Sequence, residues 1–111
     1  MDDRIKAIAD YYGYESQMDM MCEECAEFIQ ARNKLRRNTN GAYDSLLGEI
    51  ADVAIMVEQM KLICGADRIE SIINDKLNRQ IERIKDIEKA ERGQKYESLL
   101  LSGDLPRQKK W

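Results

Sequence analysis

Apolar residues recur every three or four positions along most of this chain, which is the spacing of helices that bury one face. Gly13, Gly65 and Gly93 interrupt the pattern, and so does the polar stretch RRNTNGAY at residues 36–43. Because glycine and such polar stretches commonly end helices, we expect four of them. The predicted helices cover about residues 2–12, 16–36, 44–64 and 67–91.

Side chains that can cap helices precede three of these segments. Ser16 with Asp19, and Asp67 with Glu70, have the spacing of a capping box, and Asp44 is a candidate N-cap. These residues predict where the second, third and fourth helices begin.

The third predicted helix is apolar on nearly all sides. Ile50 and Val53 share one face, whereas Ile55 and Leu62 lie roughly opposite. A helix of this kind is buried on most sides, so we expect it at the centre of a bundle or at a subunit interface.

The composition agrees with an all-α fold. With one proline and six glycines among 111 residues, the chain has few of the tight turns that an all-β protein needs. The length predicts one domain. We therefore expect a four-helix bundle-type domain over residues 1–93, a C-terminal tail over residues 94–111, and assembly as a homodimer or homotetramer.

Charge and cysteine usage exclude several functions. The 18 basic and 21 acidic residues leave a net charge of −3, which argues against binding of a nucleic acid polymer. The charged residues are also spread too evenly for a membrane protein, and the start MDDRIKAIADYY lacks a secretory signal. Cys22 and Cys25 fall on an apolar helix face and predict buried thiols rather than half of a zinc site. A cytoplasmic location follows as the expectation.

Histidine is absent from the chain. Its absence excludes Ser-His-Asp and Cys-His catalysis and the common histidine-rich metal sites. Any chemistry must therefore use carboxylates, Lys, Arg, Tyr or Cys.

Two pairs of acidic residues are the strongest candidates for that chemistry. Glu49 and Asp52 lie three positions apart on the apolar third helix, and Glu24 and Glu27 have the same spacing on the second, with Glu23 just before them. Carboxylates among apolar residues need a counter-charge. If the two helices pack antiparallel, the pairs can converge as oxygen ligands for Mg²⁺ or Mn²⁺. The alternative is that both pairs lie on solvated helix faces.

The spacing of these acids resembles that of a known family. Glu23-Glu24-x-x-Glu27, followed after 21 residues by Glu49-x-x-Asp52, is similar to the EExxE…ExxD signature of the all-α NTP pyrophosphatases, in particular the MazG-like nucleotide pyrophosphohydrolases. The segments MCEECAEFIQA and GEIADVAIMVEQ also resemble the core helices of that family. The resemblance covers about residues 15–88.

The resemblance implies an activity and a division of roles. It implies Mg²⁺-dependent hydrolysis of a nucleoside triphosphate between the α and β phosphates, which yields a nucleoside monophosphate and pyrophosphate. Glu24, Glu27, Glu49 and Asp52 would hold the metal. Either Glu24 or Glu27 would also orient the attacking water or accept its proton.

A segment of the fourth helix adds candidate phosphate ligands. Asn74-x-Lys76-x-x-Arg79 resembles the segment that follows the metal motifs in the family, and we assign Glu23 with it to substrate contacts. Arg79 could hold two phosphate oxygens in a fork, while Lys76 would act as a point charge. The alternative is that Lys76 extends to solvent from the apolar stripe and the arginines pair with acids of their own helix.

Two other functions remain open from the sequence. One is phosphoribosyl-ATP pyrophosphohydrolase, a related all-α enzyme of histidine biosynthesis. The other is a non-catalytic helical interaction module, in which the acids form salt bridges with Lys76, Arg79 and Arg83.

Overall fold

The structure, a computed structural model, describes the backbone of residues 2–101 and the side chains of residues 2–93. All regular secondary structure in this part of the chain is helical, so the all-α prediction is confirmed there. None of its helices is long and apolar enough to cross a lipid bilayer. The helices are α1 (Asp3–Tyr12), α2 (Tyr14–Arg36), α3 (Ala42–Cys64) and α4 (Ala66–Leu101).

The joint between α1 and α2 is a single glycine. Asp2 caps α1, because its side chain accepts a hydrogen bond from the backbone N–H of Arg4 at 2.9 Å. Gly13 ends α1 with φ of +85°, and α2 begins directly after it at Tyr14. The predicted capping box at Ser16 is therefore wrong, since Ser16 already lies inside α2 and no side chain caps that helix.

The connection between α2 and α3 is as short as the polar stretch predicted. It spans residues 37–41 and contains two residues with left-handed backbone, Asn38 at φ 53° and Gly41 at φ 76°. Asn and Gly tolerate this conformation best. Gly41, not Asp44, is the N-cap, so α3 begins two residues earlier than predicted and Asp44 lies in its first turn.

The fourth helix runs further than the sequence indicated. It begins at Ala66, after Gly65 at φ 110°, and continues through Gly93 to Leu101. The predicted end at Gly93 is wrong, because a single glycine inside a helix costs only about 1 kcal/mol and does not by itself stop it. The rest of the predicted tail lies outside the described residues.

The chain divides into two compact units, one up to Ile69 and the other from Glu70 onward. Within the first, α2 and α3 pack along each other and α1 packs against both. Residues that line common cavities show the direction of the α2–α3 pair: Phe28 meets Val53, and Met20 shares a cavity with Gln59. A step backward along α2 thus matches a step forward along α3, and the helices are antiparallel.

The interior between these helices is small. The described residues with buried side chains are Ala9, Gln17, Ala31, Ala42, Met56 and Gln59. Small side chains at helix contacts allow the backbones to approach closely. The core of this chain is therefore built from close helix contacts rather than from large apolar side chains.

Two burial predictions differ from the structure. The third helix is not buried on all sides within this chain, because Ile50 and Ile55 are 46% and 43% exposed. In the first unit α1 and α2 pack against α3, and two helices are too few to surround a third. The alternative that α3 lies at a subunit interface stays a prediction. Cys22 is exposed and Cys25 half-buried, so the prediction that both thiols are buried is wrong.

Candidate metal centre

Four carboxylates meet between α2 and α3. Glu24 and Glu27 come from α2, and Glu49 and Asp52 come from α3. One oxygen of each side chain can be chosen so that all four lie within 4.8 Å of one another. Residues three apart share a helix face, and the antiparallel packing turns the two acidic faces toward each other. The convergence expected from the two motifs is therefore present.

The cluster is partly removed from water. Glu24 and Glu49 are half-buried, whereas Glu27 and Asp52 are exposed. One oxygen of Glu24 and one of Glu49, Oε2 in each case, is hidden from solvent and has no hydrogen-bond partner. A buried oxygen without a partner costs free energy, most of all on a charged group. These two atoms are placed to accept a cation or a proton.

The electrostatics of the cluster favour protonation when no cation is bound. Burial raises the pKa of Glu24, and the neighbouring carboxylates of Glu27, Asp52 and Glu49 raise it further. The pKa of Glu49 is also raised, chiefly by burial and then by Glu27 and Asp52, while the charge of Lys34 opposes the rise. Like charges held this close resist simultaneous ionisation.

The donor set fits a hard divalent cation. All four ligand groups are carboxylate oxygens, which suit Mg²⁺, Mn²⁺ or Ca²⁺ better than zinc. Opposite ligands of Mg²⁺ lie about 4 Å apart and those of Ca²⁺ about 5 Å apart. The 4.8 Å spread lies within that span, so the group could hold one ion with little movement, most of it by the exposed Glu27 and Asp52.

The predicted substrate ligands lie elsewhere on the described helices. Glu23 is exposed on α2 and is not one of the four clustered carboxylates. Asn74, Lys76 and Arg79 are exposed on the part of α4 that belongs to the second compact unit. Their contacts with phosphate stay a prediction.

Sequence reasoning missed a cavity beside the cluster and the glutamine in its wall. The cavity has a volume of about 160 Å³. Asp52, Met56 and Gln59 all line it and follow one another at i, i+4 and i+7 along one face of α3. A glutamine at this spacing from an acidic motif, on a largely apolar helix, was the signal that could have found it. The cavity is lined by Ile8, Met20, Glu24, Asp52, Ile55, Met56 and Gln59.

Comparisons of this chain with protein-family models, with curated proteins and with solved structures found no match. The acidic cluster and the adjoining cavity are therefore the features of this chain that bear on its chemistry.

The metal-free protein should lose stability as the pH rises. The pKa values of Glu24 and Glu49 are raised in the folded state. At pH values between the ordinary glutamate pKa and these raised values, the folded state therefore binds more protons than the unfolded state. Stability is then highest at the acidic end of this window and falls as the carboxyls ionise. Thermal unfolding in EDTA across that window measures the effect, and Glu49→Gln should flatten it. A stability that rises with pH in EDTA would contradict the assignment.

Mg²⁺ should reverse this loss. A cation that binds only the folded state adds about 2.7 kcal/mol when its concentration is 100-fold above Kd. We expect an increase in Tm with Mg²⁺ or Mn²⁺ at neutral pH that is lost in Glu49→Gln. Differential scanning fluorimetry with each metal chloride measures it, with NaCl matched for ionic strength. Glu15→Gln, at an exposed position of α2, is the matched control and should respond like the wild type. An equal shift in both variants would show that the metal acts outside the cluster.

Proposed function

We propose that this protein is a Mg²⁺-dependent nucleoside triphosphate pyrophosphohydrolase, which acts on the cytoplasmic nucleotide pool and releases a nucleoside monophosphate and pyrophosphate. The observation that carries the proposal is the convergence of Glu24, Glu27, Glu49 and Asp52 within 4.8 Å, with two buried oxygens left without a partner. These residues stand at the spacing of the EExxE…ExxD signature. Mn²⁺ is the expected substitute metal.

The reaction needs the functions that clustered carboxylates provide. Water attacks one phosphorus, the bridging P–O bond between the α and β phosphates breaks, and the water gives up a proton. A bound Mg²⁺ supplies neutralisation of phosphate charge and a lower pKa for water. The chain itself holds the ion through the four carboxylates. It also accepts the proton on a carboxylate that the metal does not fully occupy.

Glu24 and Glu27 are the proposed proton acceptors. Glu24 is half-buried in the cluster and therefore held beside the metal, so an oxygen that the metal leaves unoccupied can accept the proton. Glu27 is exposed and can move toward a water without breaking a buried contact. Either residue can orient the water, and the proposal includes both.

Contacts with the phosphates complete the proposal. Lys76 and Arg79 supply positive charge, Asn74 supplies an amide, and Glu23 completes the substrate contacts. Arg79 offers a planar fork of donors for two phosphate oxygens, whereas Lys76 offers a single charge. All four side chains are exposed and therefore free to reach a ligand.

Different observations distinguish the proposed enzyme from the two alternative functions, an interaction module and phosphoribosyl-ATP pyrophosphohydrolase. An interaction module would neutralise its acids with salt bridges, but the hidden oxygens of Glu24 and Glu49 have no partner. That observation favours the enzyme. Phosphoribosyl-ATP pyrophosphohydrolase uses the same bond cleavage, and a substrate screen distinguishes it.

Assembly as a homodimer or homotetramer is part of the proposal. Large apolar side chains are exposed on two helices, including Leu47 and Ile50 on α3 and Leu77 and Ile81 on α4. Exposure of many such side chains is unfavourable in water. A second copy of the chain would cover them and complete a helical bundle.

The first test is pyrophosphate release from a panel of ribo- and deoxyribonucleoside triphosphates and phosphoribosyl-ATP, with Mg²⁺ and with Mn²⁺. We expect turnover of nucleoside triphosphates, and at least a 100-fold lower kcat/KM in Glu49→Gln because the variant loses an ionised ligand. Glu15→Gln serves as the control, and circular dichroism verifies the helical fold of both. No pyrophosphate from any substrate would refute the enzyme. Release from phosphoribosyl-ATP alone would favour the related enzyme.

The second test concerns the phosphate contacts. Lys76→Ala should raise KM about 10-fold, as expected for loss of one charge-assisted contact, and leave Tm nearly unchanged. Lys89→Ala is the matched control, since Lys89 is an exposed lysine on the same helix. Steady-state kinetics and thermal unfolding measure the two effects. A changed Tm with an unchanged KM would show that Lys76 only covers apolar surface.

A further inference from the structure

The cavity beside the acidic cluster has the character of a binding pocket for a small flat group. Most of its wall is apolar, formed by Ile8, Met20, Ile55 and Met56. Glu24 and Asp52 belong both to this wall and to the carboxylate cluster. A molecule in the cavity is thus in contact with the residues that would hold the metal. Apolar walls with a few polar groups are the usual design of ligand pockets.

Gln59 supplies the polar group. Its side chain is only 1% exposed, it lines the cavity, and its Oε1 has no hydrogen-bond partner. A buried amide oxygen without a partner is costly, so natural proteins rarely leave one unless a ligand or water completes it. A primary amide has one acceptor oxygen and one NH₂ group with two donors. A half-turn about the last bond of the side chain exchanges the positions of the oxygen and the NH₂ group. Gln59 can therefore match a ligand edge that presents a donor beside an acceptor.

A second glutamine supports the wall of the cavity. Gln17 is completely buried, and its Nε2 donates a weak hydrogen bond to Sδ of Met20 at 3.5 Å. The contact favours one position of Met20, which is otherwise a flexible side chain. The wall opposite α3 is thereby held in a defined shape.

The volume of the cavity limits what it accepts. A cavity of about 150 Å³ holds one benzene-sized ring. The cavity measures about 160 Å³, which matches a single six-membered ring more closely than the fused double ring of a purine. A pyrimidine base also presents a donor and an acceptor side by side on its pairing edge, which is the pattern that an amide recognises.

We infer that this cavity receives the pyrimidine base of the substrate and that Gln59 orients the base by hydrogen bonding to it. The inference rests on the proposed function and names its substrate class as pyrimidine nucleotides. The base lies among Met20, Met56 and Gln59, and the phosphates extend toward Glu24 and Asp52.

Other cavities in the described part of the chain fit this role less well. The cavity lined by Phe28, Ile50 and Val53 has a volume of about 250 Å³, but its lining side chains are all apolar and cannot orient a base. The cavity at the α2–α3 connection, over residues 38–44 and Leu35, contains no member of the acidic cluster.

Methionine methyl NMR tests the inference without requiring turnover. Protein labelled with ¹³C at the methionine methyl groups is titrated with CMP, UMP, AMP and GMP in the presence of Mg²⁺. CMP and UMP should shift the signals of Met20 and Met56, which line the cavity, and not that of Met18, which does not line it. AMP and GMP should leave Met20 and Met56 unchanged at the same concentration. Gln59→Leu should raise the Kd for CMP at least 10-fold, because the base then faces no amide.

Controls keep the test independent of folding. Gln30→Leu, at an exposed glutamine of α2, should bind like the wild type. If Gln59→Leu fails to fold, Ile55→Phe is the second variant. Ile55 lines the cavity but is 43% exposed, so the larger side chain can enter the cavity without disrupting the core. It should weaken CMP binding by a similar factor.

The possible outcomes separate this inference from the proposed function. Equal shifts with purine and pyrimidine nucleotides, or pyrophosphate release with no shift at Met20 and Met56, would overturn the inference and leave the activity in place. Pyrimidine-specific shifts with no pyrophosphate from any nucleotide would overturn the activity and support the pocket. Loss of both signals would refute both proposals.

Discussion

Repulsion among four carboxylates at the α2–α3 contact is the constraint on which the rest of this structure depends. Glu24, Glu27, Glu49 and Asp52 stand within 4.8 Å, and two of their oxygens are hidden without a partner. Like charges in a partly dry site oppose folding unless a cation or protons compensate them. The helix pair holds the carboxylates together against this cost.

The cavity beside the cluster also contains a buried oxygen without a partner, in this case on the neutral amide of Gln59. Asp52, Met56 and Gln59 lie along one face of α3, so the acidic cluster and the cavity form a continuous strip. At one end, carboxylate oxygens need a positive partner. At the other, an amide oxygen needs a donor. A nucleotide with its metal carries both, at opposite ends of one molecule, and this match relates the two proposals to each other.

The small core is the reason that assembly with a second copy is proposed. Within this chain the buried side chains include alanines, one methionine and two glutamines, while Ile50, Ile55 and other apolar side chains are exposed. Single chains bury apolar surface wherever geometry allows, because its exposure opposes folding. A site built from two long helices would gain rigidity from a second copy, and rigid supports keep ligands in position.

Sequence by itself determined the four helices, the stop at residues 37–41 and the placement of each acidic pair on one helix face, since period and turn chemistry are local properties. It misplaced the cap at Ser16 and the end at Gly93, because a single glycine ends one helix at Gly13 but lies inside another at Gly93. It also misplaced the burial of Cys22, because burial depends on which helices pack against a face. Only the tertiary structure decided that the two acidic pairs meet and that Gln59 is buried beside them. The register between antiparallel helices depends on contacts between residues far apart in sequence, which no local pattern specifies.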